Sequence, residues 1–172
     1  EHKLETVSAV RTDTTTVAAP IRAPLDSALL SDSVRVLTRL LERAQKWIPT
    51  QMPNHRRRVT HRATSLRAPK VSKEDRAALY ADLIDDTKIY VEAALFAATY
   101  LEGIDDLKAY LLSLDLRAQA ERALCVVDQT ERRIFDEEKL SPSQKLVSIF
   151  EPHTDILCKR NSVVYGHKVC LS

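Results

Sequence analysis

Two long apolar-periodic stretches, separated by a single glycine, occupy residues 72–135 and predict a pair of helices packed side by side. Tyr80, Leu83, Thr87, Tyr90, Ala94, Ala97 and Leu101 follow a 3-4-3-4-3-4 spacing, and Ile84, Val91 and Ala98 broaden the stripe, as on an amphipathic helix. Ser72, with Asp75 three residues on, resembles a capping box at its start. Gly103, one of only two glycines in the chain, stands where a helix C′ residue belongs. A second helical stretch is expected over residues 105–135, with Leu107, Leu111, Leu114, Leu124, Val127 and Ile134 as its contacts. So short a joint makes the two helices antiparallel neighbours, a helical hairpin.

Other elements flank this hairpin. Residues 4–17 are rich in Val and Thr and contain neither Gly nor Pro, which favours a strand ended by Pro20 and Pro24. A helix follows, capped by Asp26 or Ser27, with Leu29, Leu30, Val34, Leu37, Leu40 and Leu41 on one face. It is expected to run to about Trp47 and to stop before Pro49. Residues 55–70 hold Arg56, Arg57, Arg58, Arg62, Arg67 and Lys70 without one acid, while Val59, Ala63 and Leu66 can line one side of a short helix. After Ser141-Pro142 the pattern turns extended, over residues 146–150, 156–159 and 163–171, with a hairpin turn at residues 159–162. The fold class is α+β: residues 1–25 a first strand, 26–140 a helical segment, 141–172 a β-hairpin.

The chain has 172 residues and a net charge of +2, yet charge is strongly partitioned. Residues 1–70 hold 13 Lys+Arg against 6 Asp+Glu, and residues 71–140 hold 9 against 16. The basic part offers a surface to phosphate. Arginine suits that task, because its planar fork donates two hydrogen bonds at once. The six cations of residues 55–70 are therefore candidate DNA contacts, to backbone rather than to bases. Cys125, Cys158 and Cys170 lack zinc-ligand spacing and are odd in number, which points to reduced thiols of the cytoplasm. No apolar run is long enough for a membrane-spanning helix.

Three blocks carry a family resemblance. The first is Pro24-Leu25-Asp26-Ser27 followed by Leu29-Leu30-Ser31-Asp32-Ser33-Val34-Arg35-Val36-Leu37-Thr38-Arg39. The second is Asp128-Gln129-Thr130-Glu131-Arg132-Arg133. The third joins Ser148-Ile149-Phe150-Glu151-Pro152-His153-Thr154-Asp155 to Tyr165-Gly166-His167-Lys168. Together they resemble bacterial insertion-sequence transposases of the ISNCY group, which are DDE enzymes. Leu25 and Arg22 depart from the residues usual in that group, Thr and His.

The resemblance implies a partial RNase H-like catalytic core, interrupted after its first strand by a large helical insertion. The strand around Asp13 would then pair with the hairpin of residues 146–171. Asp13, among threonines, would be the first catalytic acid and a ligand for Mg²⁺ or Mn²⁺. Two-metal phosphoryl transfer needs carboxylates on rigid backbone, and a strand supplies that rigidity. The later acids would follow the strand ending near Ser172, so this chain alone is expected not to cut or join DNA. DNA would be the partner, as transposon ends and target, with homo-oligomers of the complete enzyme and a nucleoid-associated location in the bacterial cytoplasm. His153 and His167, on the two hairpin strands, make a thin metal pair and are read as structural. Asp26 and Asp32 are read as a helix cap and a first-turn acid. A non-enzymatic helical DNA-binding module is the alternative function, and a helical scaffold with an acidic protein-binding surface a third.

Overall fold

The computed structural model describes residues 13–21, 23–159 and 162–171. Leucine and valine at three- and four-residue steps drive the first helix, α1 (Asp26–Ala44), whose Leu29, Leu30, Val34, Leu37, Leu40 and Leu41 are all buried. It ends at Ala44, a turn earlier than expected, where the Gln45 amide donates to the carbonyls of Ile48 (2.8 Å) and Thr50 (2.9 Å). A short helix α2 (Arg56–Ser65) buries Val59 and Ala63, with Leu66 just beyond its end, as their spacing predicts.

The expected hairpin is present as α3 (Lys73–Glu102) and α4 (Leu107–Ile134). Ser72 Oγ accepts from the Asp75 N–H at 3.0 Å and caps α3. Asp106 caps α4 by accepting from the N–H groups of Lys108 (2.7 Å) and Ala109 (3.3 Å), and the Lys108 bond holds its carboxyl below the usual carboxylate range. Ion pairs Arg117–Glu102, Lys88–Glu131 and Lys73–Glu137 run down the seam in antiparallel order. Gly103 has φ −80°, so the joint does not use the left-handed conformation that favours glycine.

The buried face of α3 is the expected one with a single addition, Asp86. That of α4 is not. Leu107, Leu111, Leu114 and Leu124 are exposed, and Ala109, Leu112, Leu116, Ala120, Ala123, Val126 and Val127 are buried. Alanines explain the shift. Ala94, Ala97 and Ala98 of α3 and Ala109, Ala120 and Ala123 of α4 are all fully buried in the core these helices share. Small side chains let two helices approach closely, and interaxial distance follows the residues at the contact.

The strands β1 (Asp13–Ala18), β2 (Asp155–Lys159) and β3 (Ser162–Leu171) form an antiparallel sheet of order β1-β3-β2. Asp13 pairs with Leu171 and Ala18 with Gly166, so the first strand of the chain lies beside the last across the whole helical segment. Among the described residues the sheet contributes none to the helical core, and Val17 and Val163 are more than half exposed. Ile149 does join that core, across the boundary expected at residue 140.

Residues 146–150, expected to be extended, pair with no strand; side chains satisfy their backbone instead. Gln129 accepts from the Leu146 N–H (2.9 Å) and donates to the Leu146 carbonyl (3.3 Å). Ser148 Oγ accepts from the N–H groups of Phe150 (3.2 Å) and Glu151 (3.1 Å). Buried backbone groups must find partners, and here a buried glutamine and a turn serine take the place of a ladder. No helix among the described residues is long and apolar enough to cross a membrane.

Candidate nucleic-acid interface

Helix α2 rests on α1 and α3 through Val59, Ala63 and Leu66 and presents the rest of its circumference outward. Its six expected phosphate ligands divide into two groups. Arg58 and Arg62 both donate to the Asp86 carboxylate of α3, which is 2% exposed, and Arg62 also pairs with Asp82 at 2.9 Å. A buried carboxylate is costly unless it is paired and hydrogen-bonded, and two guanidinium groups meet that need. The hydrogen bond to Asp86 raises the pKa of Arg58. These two arginines therefore serve an internal pair instead of standing free for phosphate. His55 completes the anchor: its N–H donates to the buried Tyr90 hydroxyl at 2.6 Å, and its Nδ1 lies 2.9 Å from Arg58.

Arg56, Arg57, Arg67 and Lys70 make up the second group. All four are exposed, and none has an acidic partner among the described residues. Arg56, Arg57, Thr60, His61 and Thr64 line one side of a shallow depression that Glu42 and Asn54 close on the other.

The second candidate region is the sheet. Asp13 opens β1 opposite Leu171, and Thr16, Val17 and Ala18 pair with Lys168, His167 and Gly166. The strand of the candidate acid and the strand of the Tyr-Gly-His-Lys motif are thus direct neighbours. Gly166 permits the pairing: a Cβ there would sit 2.1 Å from the Val17 carbonyl oxygen and 3.0 Å from Ala18 Cα. His153 falls in the turn before β2, not on a strand, so it does not oppose His167 as expected. Glu151 belongs to that same turn, accepting the Thr154 N–H on its carbonyl at 3.1 Å.

Among the described residues no three His, Cys, Asp or Glu side chains gather as a metal site. The strands carry two acids, Asp13 and Asp155. Asp155 pairs with Gly166, five residues along β3 from the partner of Asp13. That offset is roughly 17 Å of strand, against the ~4 Å separation of two catalytic metals. The described residues do not assemble a two-metal centre, and no catalytic step follows from them.

The Asp128–Arg133 block proves to be a clamp. Gln129, buried, holds Leu146 as described and also donates to Asp26 at 3.4 Å. Arg133 donates to the same buried Asp26 at 2.6 Å, so Asp26 is an internal partner and not the cap expected of it. Arg132 pairs with Glu138 at 2.7 Å, which raises its pKa, and Glu131 pairs with Lys88 at 2.8 Å. Asp32 pairs with Arg35 at 2.8 Å, and the Arg35 guanidinium lies 5.5 Å from the Phe150 ring centre. The first two sequence blocks thus meet at Asp26, and the third touches the first where Arg35 lies over Phe150. No family model, curated protein or solved structure matches the chain.

Sequence reasoning missed Asp82 and Asp86 as partners of the basic segment. The available signal was an acid pair at i, i+4 on the flank of an otherwise apolar-striped helix. Nothing local in the sequence pointed to Gln129 as a backbone clamp.

Proposed function

We propose that this chain is part of a DDE-type DNA transposase, with a partial RNase H-like core made by β1 and the β2–β3 hairpin and with α1–α4 inserted between them. The observation that carries the proposal is the adjacency of β1, bearing Asp13, to the Tyr165–Lys168 strand, across some 140 residues of intervening chain. The contact of the first resembling block with the second at Asp26, and with the third through Arg35 and Phe150, adds support. Among the described residues Asp13 is the one ligand offered to the Mg²⁺ or Mn²⁺ of the complete enzyme. Arg56, Arg57, Arg67 and Lys70 hold DNA, and Arg58 and Arg62 fix the helix that carries Arg56 and Arg57.

Asp13→Ala in an uninterrupted version of the protein tests the assignment. Transposition is expected to fall to background while DNA affinity is unchanged. Loss of binding together with activity, or full activity, contradicts a catalytic Asp13. The chain by itself is expected to bind DNA without cutting it, and robust Mg²⁺-dependent strand cleavage by the purified 172-residue protein would sink that claim.

The second reading is a non-enzymatic DNA-binding module. It is favoured by the helical core's independence from the sheet, since α1–α4 bury their apolar faces without any strand residue. Under that reading Asp13→Ala changes nothing.

A further inference from the structure

We infer that α2 reads DNA sequence from the major groove, with Arg57 and His61 on base edges and Arg56 and Arg67 on the flanking phosphates; this rests on the DNA-binding reading above. At 100° per residue the helix divides into strips. Val59, Ala63 and Leu66 form the buried one. Opposite them Arg57, His61 and Thr64, all exposed, follow one another at four- and three-residue steps, the line a helix offers to a surface it enters. Arg56 falls on one flank of that line and Arg58 and Arg62 on the other, and Arg67 follows just beyond the end of the helix.

Four observations favour base reading over a plain phosphate patch. The outward line contains an arginine and a histidine but no carboxylate, so nothing on it repels the duplex. The hydroxyls of Thr60, Thr64 and Ser65 donate to the carbonyls of Arg56 (3.0 Å), Thr60 (2.8 Å) and His61 (3.0 Å), which keeps their relief low and leaves threonine methyls for contact with thymine. Glu42 and Asn54 border the same depression. A carboxylate there opposes phosphate but accepts from a cytosine amino group, and asparagine pairs with adenine. Finally, α2 is held against rotation on its inner flank by the Arg58–Asp86–Arg62 pairing and at its start by the His55–Tyr90 hydrogen bond. Phosphate binding tolerates a rolling helix; base reading does not. A helix of ten residues spans about 15 Å, and the major groove, about 12 Å wide, admits it.

The test is a binding selection with the full chain on a pool of random-sequence DNA duplexes, repeated with Arg57→Ala, His61→Ala, Arg67→Ala and Lys70→Ala. The wild type should enrich a short motif. Arg57→Ala and His61→Ala should each erase the preference at a base position, roughly tenfold. Arg67→Ala and Lys70→Ala should keep the motif and weaken all duplexes alike, lowering the salt slope by about one each. Salt-dependent binding with no enriched motif overturns groove reading and leaves the DNA-binding proposal standing. A motif insensitive to both Arg57→Ala and His61→Ala removes the role of α2. No binding to any duplex overturns both.

Discussion

Alanine at Arg56, Arg67 and Lys70 together lowers affinity for duplex DNA on the order of a hundredfold near physiological salt, and flattens the dependence of log K on log salt by about 2.7. Each cation that neutralises a phosphate releases condensed counterions, so the loss scales with the number of contacts and not with their detailed geometry. These three are exposed and have no acidic partner among the described residues, so their charge is available. The contrast is Arg117, held by Glu102 at 2.6 Å and lowering the pKa of that acid. Arg117→Ala removes one formal charge and should leave DNA affinity within about twofold, because a cation already paired with a carboxylate neutralises no phosphate and so releases none of the counterions condensed on DNA. Anisotropy titrations at several salt concentrations check both. Equal losses for the triple variant and Arg117→Ala would show that only net charge matters and would remove the assigned interface.

Gly166→Ala is expected to unseat β1. The new Cβ would approach the Val17 carbonyl oxygen to 2.1 Å, well inside contact distance, and that atom is backbone. No rotamer relieves such a clash, so β1 must leave the ladder or β3 must bend, at a cost of about 3 kcal/mol or more. The bonded pairs nearest the clash are Ala18↔Gly166 and Val17↔His167, with the Ala19 N–H donating to the Tyr165 carbonyl at 2.9 Å. Amides of Thr16 to Ala19 should lose hydrogen-exchange protection, while the helical far-UV signal stays intact because the sheet shares no core residue with the helices. In a complete enzyme the same change displaces Asp13 and should abolish strand transfer while sparing DNA affinity. Unchanged protection of β1 would mean that its pairing with β3 does not hold in solution.

The helical periodicities were legible where a helix carries a single apolar stripe. Tyr80 through Leu101 are buried as their spacing predicts, because α3 lies centrally and its apolar stripe has a single solution. The stripe of α4 misled, since it offers two candidate faces and leucine outweighs alanine in hydrophobicity. Close approach to an alanine-lined α3 selected the alanine face, a tertiary decision no local pattern records. The basic segment was legible as charge but not as availability: Asp86, which takes up Arg58 and Arg62, lies 28 and 24 residues away on another helix. The strand expected at 146–150 failed for a similar reason. Its apolar run suits a strand, but Gln129, 17 residues upstream of Leu146, satisfied the backbone first. The pairing of Asp13 with Leu171 was legible only through the family resemblance, since contacts of such separation leave no mark on spacing.

The nucleotide sequence that follows the Ser172 codon at its source tests the central claim most directly. The account predicts a reading frame, continuous or shifted, that encodes a strand bearing an Asp and later a helix bearing a Glu. Those are the acids needed beside Asp13 to hold a pair of divalent metals. Unrelated sequence in every frame would contradict the transposase assignment and leave the basic helix α2 as the part with a function to explain.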